Sequence, residues 1–231
     1  MYFDYTYLIL VLPAIIFALI ANVFVKRTFN KYSQSFSARQ MTGREAAHEV
    51  LTQNGVTGVD IQMIDGDLTD NYNPRSNTIS LSKNVYSSTS VAAIGVAAHE
   101  AGHAVQYATG YSPMKLRNAL IPATNIGSKL AIPLFFIGMI FSYYAESLIY
   151  VAYIGIGLYA LSTLFQLLTL PAELNASRRA VKAIERSVLN EEETKGAKKV
   201  LTAAAMTYVA ALAVSLMSLL RLMIIAGRRR N

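Results

Sequence analysis

The sequence has no cysteine, which rules out disulfides and thiolate metal sites and is compatible with a reducing compartment. Charge is scarce as well: 15% of residues are charged against 53% hydrophobic, with a mean hydropathy of +0.34. That balance excludes an ordinary soluble domain of 231 residues. Histidine is limited to His48, His99 and His103, so any imidazole chemistry must draw on these three. No internal repeat or low-complexity segment is present.

Long apolar runs are what the chain does have. Residues 8–25 read LILVLPAIIFALIANVFV without a charge, preceded by Tyr2, Phe3, Tyr5 and Tyr7 as an aromatic interface belt. A cleaved signal peptide fits poorly, because Lys26, Arg27 and Lys31 follow the run instead of preceding it. Further stretches run from about Leu130 to Tyr144, Ser147 to Leu170 and Leu201 to Leu220. The first of these borrows ALIPATNIGSK to reach spanning length, with SYYAES as the turn after it.

The net charge is +7, with a pI near 9.5. Its distribution argues against nucleic acid: the basic residues cluster beside apolar spans at Lys26–Lys31, Arg178–Arg186 and Lys195–Lys199, as the positive-inside rule expects. Residues 26–118 and 172–199 are therefore expected on the cytoplasmic side. The expected layout is a first transmembrane helix over 1–27, a catalytic region over 28–118, a transmembrane hairpin over 119–171, a cytoplasmic helix over 172–199, and a last helix with a basic tail over 200–231. That last helix sits awkwardly in this topology. A fourth crossing carries Arg228, Arg229 and Arg230 to the outer face and leaves Arg221 in or near the span, so a re-entrant path or one lying against the bundle is the alternative to four spans. Its segment TAAAMTYVAALA suits close helix packing on either path.

The region after the first run has a different texture. MTGREAAHEVLTQNG offers Thr42 as N-cap, Glu45 as its capping-box partner and Gly55 as a stop, predicting a short helix that carries His48 and Glu49. GVDIQMI and NTISLS alternate like strands around the turn-rich DGDLTDNYNPRS, predicting a small antiparallel hairpin that leads to a helix starting near Ser90. Asp65, Asp67 and Asp70 lack the spacing and bidentate glutamate of a calcium loop, and read as turn residues.

The chemistry lies in AAIGVAAHEAGHAVQY. On a helix, His99 and His103 are about 40° apart on one face and one turn apart along the axis, close enough to share a metal. Glu100 points about 60° round from His103, where a carboxylate can take a proton from water without ligating the metal. Zinc needs a third protein ligand. The pattern that continues with a glycine and a third histidine fails, since Gln106 and Thr109 occupy those places. His48 or a distant carboxylate remains, and Glu173 in LPAELNASRRAVKAIE leads the candidates, because a membrane hairpin over 119–170 brings it back to the side of the HEAGH helix. Pairing of Glu173 with Arg178 or Lys182 is the purely structural alternative. Asn175 in NAS matches a glycosylation sequon, incidental on a cytoplasmic helix.

LTDNYNPRSNTISLS, VAAHEAGHAVQYATGYSPMKLRNALIPATNIGS and LPAELNASRRA together resemble the bacterial membrane zinc metallopeptidases called YugP-like, over most of the chain. More distantly, the order of HExxH, membrane hairpin and glutamate helix is similar to that of the membrane heat-shock proteases and CAAX prenyl endopeptidases. The resemblance implies a mainly α-helical polytopic protein of the bacterial plasma membrane with a small zincin-like α+β part facing the cytoplasm. It implies a gluzincin-type site with Zn2+ on His99, His103 and Glu173, and Glu100 as catalytic base. Where the wider group places an aspartate four residues after the glutamate ligand, this chain has Ser177, whose hydroxyl can accept an imidazole N–H with less negative charge, so the support of the ligand histidine is either weaker or supplied by another group.

The expected activity is hydrolysis of peptide bonds in unfolded or membrane-tethered polypeptide laid along an exposed strand of residues 60–82. Arg178, Tyr72 and Tyr208 are candidates for oxyanion stabilisation. A catalytically inactive membrane scaffold with a closed structural zinc site is the competing class. A channel component is a third, and the only notable polar residues for it are Asn125, Lys129 and Arg221.

Overall fold

The computed structural model describes residues 5–230, with side chains described up to Arg228. Tyr2 and Phe3 of the expected aromatic belt lie outside the described residues, as do the side chains of Arg229 and Arg230. The elements run in the order α1 (Leu12–Ser33, entered through a π-helical turn at Tyr7–Val11), α2 (Gly43–Gln53), β1 (Asp60–Ile64), β2 (Asn71–Asn73), β3 (Thr78–Ser82), α3 (Lys83–Tyr86), α4 (Val91–Ala108), α5 (Ser112–Phe141), α6 (Ile149–Ser187) and α7 (Glu191–Arg230). The segments Tyr7–Ser33, Ser112–Phe141, Glu146–Ser187 and Glu191–Arg228 are each long and apolar enough to cross a membrane.

The chain forms two compact units. One gathers the described residues up to Ile20, Leu116–Leu170 and those from Tyr208 onward. Less than a third of each apolar window is buried, so large side chains such as Leu19, Ile20, Ile126, Phe136, Ile140 and Ile154 face outward. Water would not tolerate that surface, whereas a bilayer solvates it. Inside this unit α5 and α6 meet on glycine: a β-carbon on Gly155 would stand 2.6 Å from the Ala131 carbonyl oxygen, and one on Gly138 would collide with the backbone nitrogen of Ala152. A hydroxyl pair, Thr163 to Ser215 at 2.8 Å, joins α6 to α7. The Arg221 guanidinium lies 5.3 Å from the centre of the Tyr7 ring, a cation–π contact that offsets part of the cost of an arginine in an apolar run. α7 is helical without a break over Glu191–Arg230, so it has no re-entrant turn.

The other unit comprises Ala21–Lys115 and Pro171–Thr207. Its core joins Val50 and Leu51 of α2, Ile79 and Leu81 of β3, Ile94 and Val105 of α4 and Ile184 of α6. The Thr42–Glu45 capping box starts α2, and Gly55, at φ 65°, turns the chain away after it. The Ser90 hydroxyl accepts from the Ala93 amide to start α4.

The sheet corrects the expected hairpin. GVDIQMI and NTISLS do pair, but in parallel, with Asp60 opposite Thr78 and Ile64 opposite Ser82. The hairpin partner of β3 is instead the short β2, Asn71–Asn73, inside the segment read as turn. Asn77 makes this possible. It adopts φ 52°, which asparagine tolerates, while its side chain accepts from the Tyr72 hydroxyl at 2.8 Å and donates to the Gly58 carbonyl at 2.8 Å. The order is therefore β1-β3-β2, with β3 wholly buried and β2 on the edge that touches α4.

Candidate metal centre

α4 is buried around nearly its whole circumference, because alanine and glycine occupy most of its positions and let neighbours approach. Gly102, inside HEAGH, is where this matters most. A β-carbon there would lie 2.6 Å from the Ala176 carbonyl oxygen, so α4 and the C-terminal part of α6 touch backbone to backbone. That contact sets Glu173, three residues before Ala176, over the two histidines.

His99 Nε2 stands 3.1 Å and His103 Nε2 3.3 Å from Glu173 Oε2. One ligand atom from each of the three residues lies within 4.8 Å of the others. The imidazoles meet edge to face with ring centres 4.7 Å apart. Glu173 is 2% and His103 6% exposed, whereas His99 keeps an intermediate exposure.

The outer nitrogens are held from behind. His99 Nδ1 is 3.1 Å from Ser177 Oγ, one helical turn beyond Glu173. His103 Nδ1 is 3.0 Å from Gln106 Oε1. Gln106 is fully buried, and its amide nitrogen donates to the Ala172 carbonyl at 2.7 Å and to Asn175 Oδ1 at 3.0 Å. Asn175 Oδ1 in turn accepts from Arg179 Nε at 2.8 Å.

The donor set fits a cation. An amide oxygen only accepts, so the proton on neutral His103 sits on Nδ1 and the Nε2 lone pair faces Glu173. A hydroxyl can donate or accept; with Ser177 accepting from His99 Nδ1, two imidazole lone pairs and a carboxylate converge, all electron-rich and none supplying a proton. Such a group is stable only around a positive charge. With no cation present, the ionisable groups favour a proton in its place, as an imidazolium paired with the Glu173 carboxylate. Burial pushes the Glu173 carboxyl up, but its bonds to His103 and His99 outweigh burial and hold it well below the usual carboxylate range. Burial pulls His103 down, and the bond and charge of Glu173, the charge of Glu100 and the bond to Gln106 together raise it. Two nitrogens and one oxygen suit zinc, and among the described residues no fourth histidine or carboxylate joins the group.

Glu100 lies on the same helix, 9% exposed, and among the described residues no hydrogen bond or ion pair holds its carboxylate. His48 is exposed on α2, beside Thr52 of its own helix, and among the described residues it takes no part in the cluster. Glu173 turns toward the imidazoles, not toward an ion pair with Arg178, whose side chain is exposed. Tyr72 has its ring 6.2 Å from that of Tyr107 on α4. Tyr208 belongs to the other unit. The aspartates are structural: Asp67 accepts from Asn84 at 2.7 Å, and Asp70 accepts from the amide and hydroxyl of Ser82 at 2.8 and 3.1 Å. Sequence reasoning missed the support given by Gln106, Asn175 and Arg179. The available signal was spacing: Gln106 follows His103 by three and Arg179 follows Asn175 by four, each on one helix face.

Comparison with known proteins identifies the family. Residues 7–227 match the family model described as "Putative neutral zinc metallopeptidase". The chain is 43% identical over 211 residues to "Putative membrane protease YugP" of Bacillus subtilis (strain 168), an alignment covering 90% of this chain and 91% of that relative. No solved structure matches. A family match over nearly the whole length, a relative of this similarity and a His-His-Glu cluster together show that the chain belongs to the neutral zinc metallopeptidase family.

Proposed function

We propose that this protein is a gluzincin-type membrane endopeptidase that holds Zn2+ on His99, His103 and Glu173 and uses Glu100 as general base. The observation that carries the proposal is the convergence of His99, His103 and Glu173 donor atoms within 4.8 Å of one another, with the Glu100 carboxylate free on the same helix. When bound, zinc supplies Lewis acidity and brings the pKa of water down toward about 7. Glu100 takes a proton from the attacking water as its oxygen bonds to the scissile carbonyl carbon. It passes that proton to the amide nitrogen as the C–N bond breaks, so no acyl-enzyme forms. Ser177 and Gln106 keep both imidazoles aimed inward throughout. With three protein donors, zinc would keep one position for water or substrate, which favours catalysis over a closed structural site.

The substrate is unfolded or membrane-tethered polypeptide, paired with the free edge of β2, the sheet edge next to α4. Backbone pairing demands little of sequence, so specificity is broad. The protein is multi-pass in the bacterial plasma membrane. Its catalytic residues, within 28–118 and 172–199, face the cytoplasm, as the basic residues flanking the apolar runs support. The test is casein or peptide cleavage by the zinc-loaded protein in detergent, wild type against Glu100→Gln. Activity is expected to fall at least about 10²-fold with zinc content unchanged. Equal activity in the two proteins would end the mechanism.

A further inference from the structure

The buried side of His103 is wired to a half-buried cation, Arg179. Arg179 carries only donors, and its Nε reaches Asn175 Oδ1 at 2.8 Å. The two orientations of an asparagine amide have nearly the same shape, so its neighbours decide between them. Arg179 therefore commits the Asn175 oxygen to the inside. That oxygen accepts one amide proton of Gln106, and the Ala172 carbonyl accepts the other, at 3.0 and 2.7 Å. Both Gln106 protons are thus used, and only its oxygen is left for His103 Nδ1, 3.0 Å away.

We propose that Arg179, acting through Asn175 and Gln106, is a positioning residue that keeps the His103 proton on Nδ1 and so keeps Nε2 open as a metal donor. The inference rests on the metal-centre reading above. Without Arg179, the Asn175 amide is free to turn its nitrogen inward. Gln106 then meets a donor where it had an acceptor, and only the Ala172 carbonyl still opposes a flip of its amide that offers N–H to His103 Nδ1. That flip favours a proton on Nε2, where the cation must bind. The chain needs Asn175 only as an acceptor, and an aspartate supplies one with the same reach and pairs with Arg179.

Two readouts test this on the full-length protein in detergent. The first is zinc affinity, by competition with a chromophoric chelator. Arg179→Met and Asn175→Leu are each expected to weaken binding about 10- to 100-fold, and Asn175→Asp to stay within about threefold of wild type. The second is histidine 15N NMR of zinc-free protein at a pH well above the imidazole range, where three histidines keep assignment simple. Wild type and Asn175→Asp are expected to show the Nδ1–H form of His103. Arg179→Met and Asn175→Leu, checked as folded by circular dichroism, are expected to show a shift toward Nε2–H. Unchanged affinity and tautomer in both of those variants would overturn the proposal, as would an Asn175→Asp protein as impaired as Asn175→Leu. A wild-type protein that binds no zinc would sink the metal-centre reading instead, while the tautomer spectra still decide the relay.

Discussion

Gly102 of α4 lies directly against the carbonyl of Ala176 on α6, with no room for a β-carbon between them. This contact, inside the HEAGH pentapeptide itself, brings a carboxylate 70 positions along the chain from His103 to within 3.3 Å of it. The two variable positions of the motif are therefore not equivalent. Ala101 is an ordinary core residue, whereas Gly102 sets the distance between the helices. Gly102→Ala is expected to force α4 and α6 apart. Overpacking of this kind costs about 1–3 kcal/mol and widens the donor triangle. Zinc affinity should fall at least about tenfold and the melting temperature should drop, read by chelator competition and thermal denaturation. A variant that keeps wild-type zinc affinity would show that the helices have slack.

Ser177 does for His99 what Gln106 does for His103. Its hydroxyl is 3.1 Å from Nδ1. Ser177→Ala is expected to lower zinc affinity about 10-fold, and Ser177→Asp to restore or exceed it, because a carboxylate holds an imidazole N–H more strongly than a hydroxyl does. Isothermal titration with zinc measures both. An aspartate variant weaker than the alanine variant would mean that His99 does not donate at this nitrogen.

Zinc removal should destabilise the protein. A chelator leaves the Glu173 carboxylate buried against two imidazole lone pairs, and only protonation then supplies the missing positive charge. Re-addition of zinc at a hundredfold excess over its Kd is expected to return about 2.7 kcal/mol of stability. The melting temperature should therefore fall with chelator and recover with zinc in wild type, but respond to neither in Glu173→Ala. An identical response in the two proteins would place the ion elsewhere.

Tyr72 gives a pH signature independent of the metal. Burial, with a smaller contribution from the neighbouring Tyr107, pushes its hydroxyl up to about 12, from an ordinary value of 10.0. The folded state thus holds this proton more tightly than the unfolded state. The resulting stability is fully present below pH 10 and is lost as pH rises from there through about 12. Alkaline denaturation of Tyr72→Phe should lack that part of the slope. Tyrosinate absorbance should likewise show one late-titrating group fewer than in wild type. Superimposable titrations would mean that Tyr72 is open to solvent.

Much of this could be read from residues whose signals are local. The apolar runs, the Thr42–Glu45 box, the Ser90 cap and the histidine spacing each depend on a few neighbours in sequence. The placing of Glu173 beside the two histidines was legible for a different reason: a chain expected to cross a membrane twice is expected back on the side it left. The relay from Arg179 to His103 was not legible, because its bonds cross from α6 to α4 and exist only once Gly102 has brought the helices together. The parallel pairing of β1 with β3 was hidden in the same way. It depends on β2, three residues long and too short for alternation to mark, and on the left-handed backbone of Asn77.

Zinc K-edge absorption with metal analysis of the purified protein shows whether one zinc ion is shared by two residues of α4 and one of α6. One zinc per chain is expected, bound by nitrogen and oxygen at about 2.0–2.1 Å with two imidazoles, and lost in both His103→Ala and Glu173→Ala. Zinc retained at full occupancy in both variants with unchanged ligands would mean that these residues do not hold it.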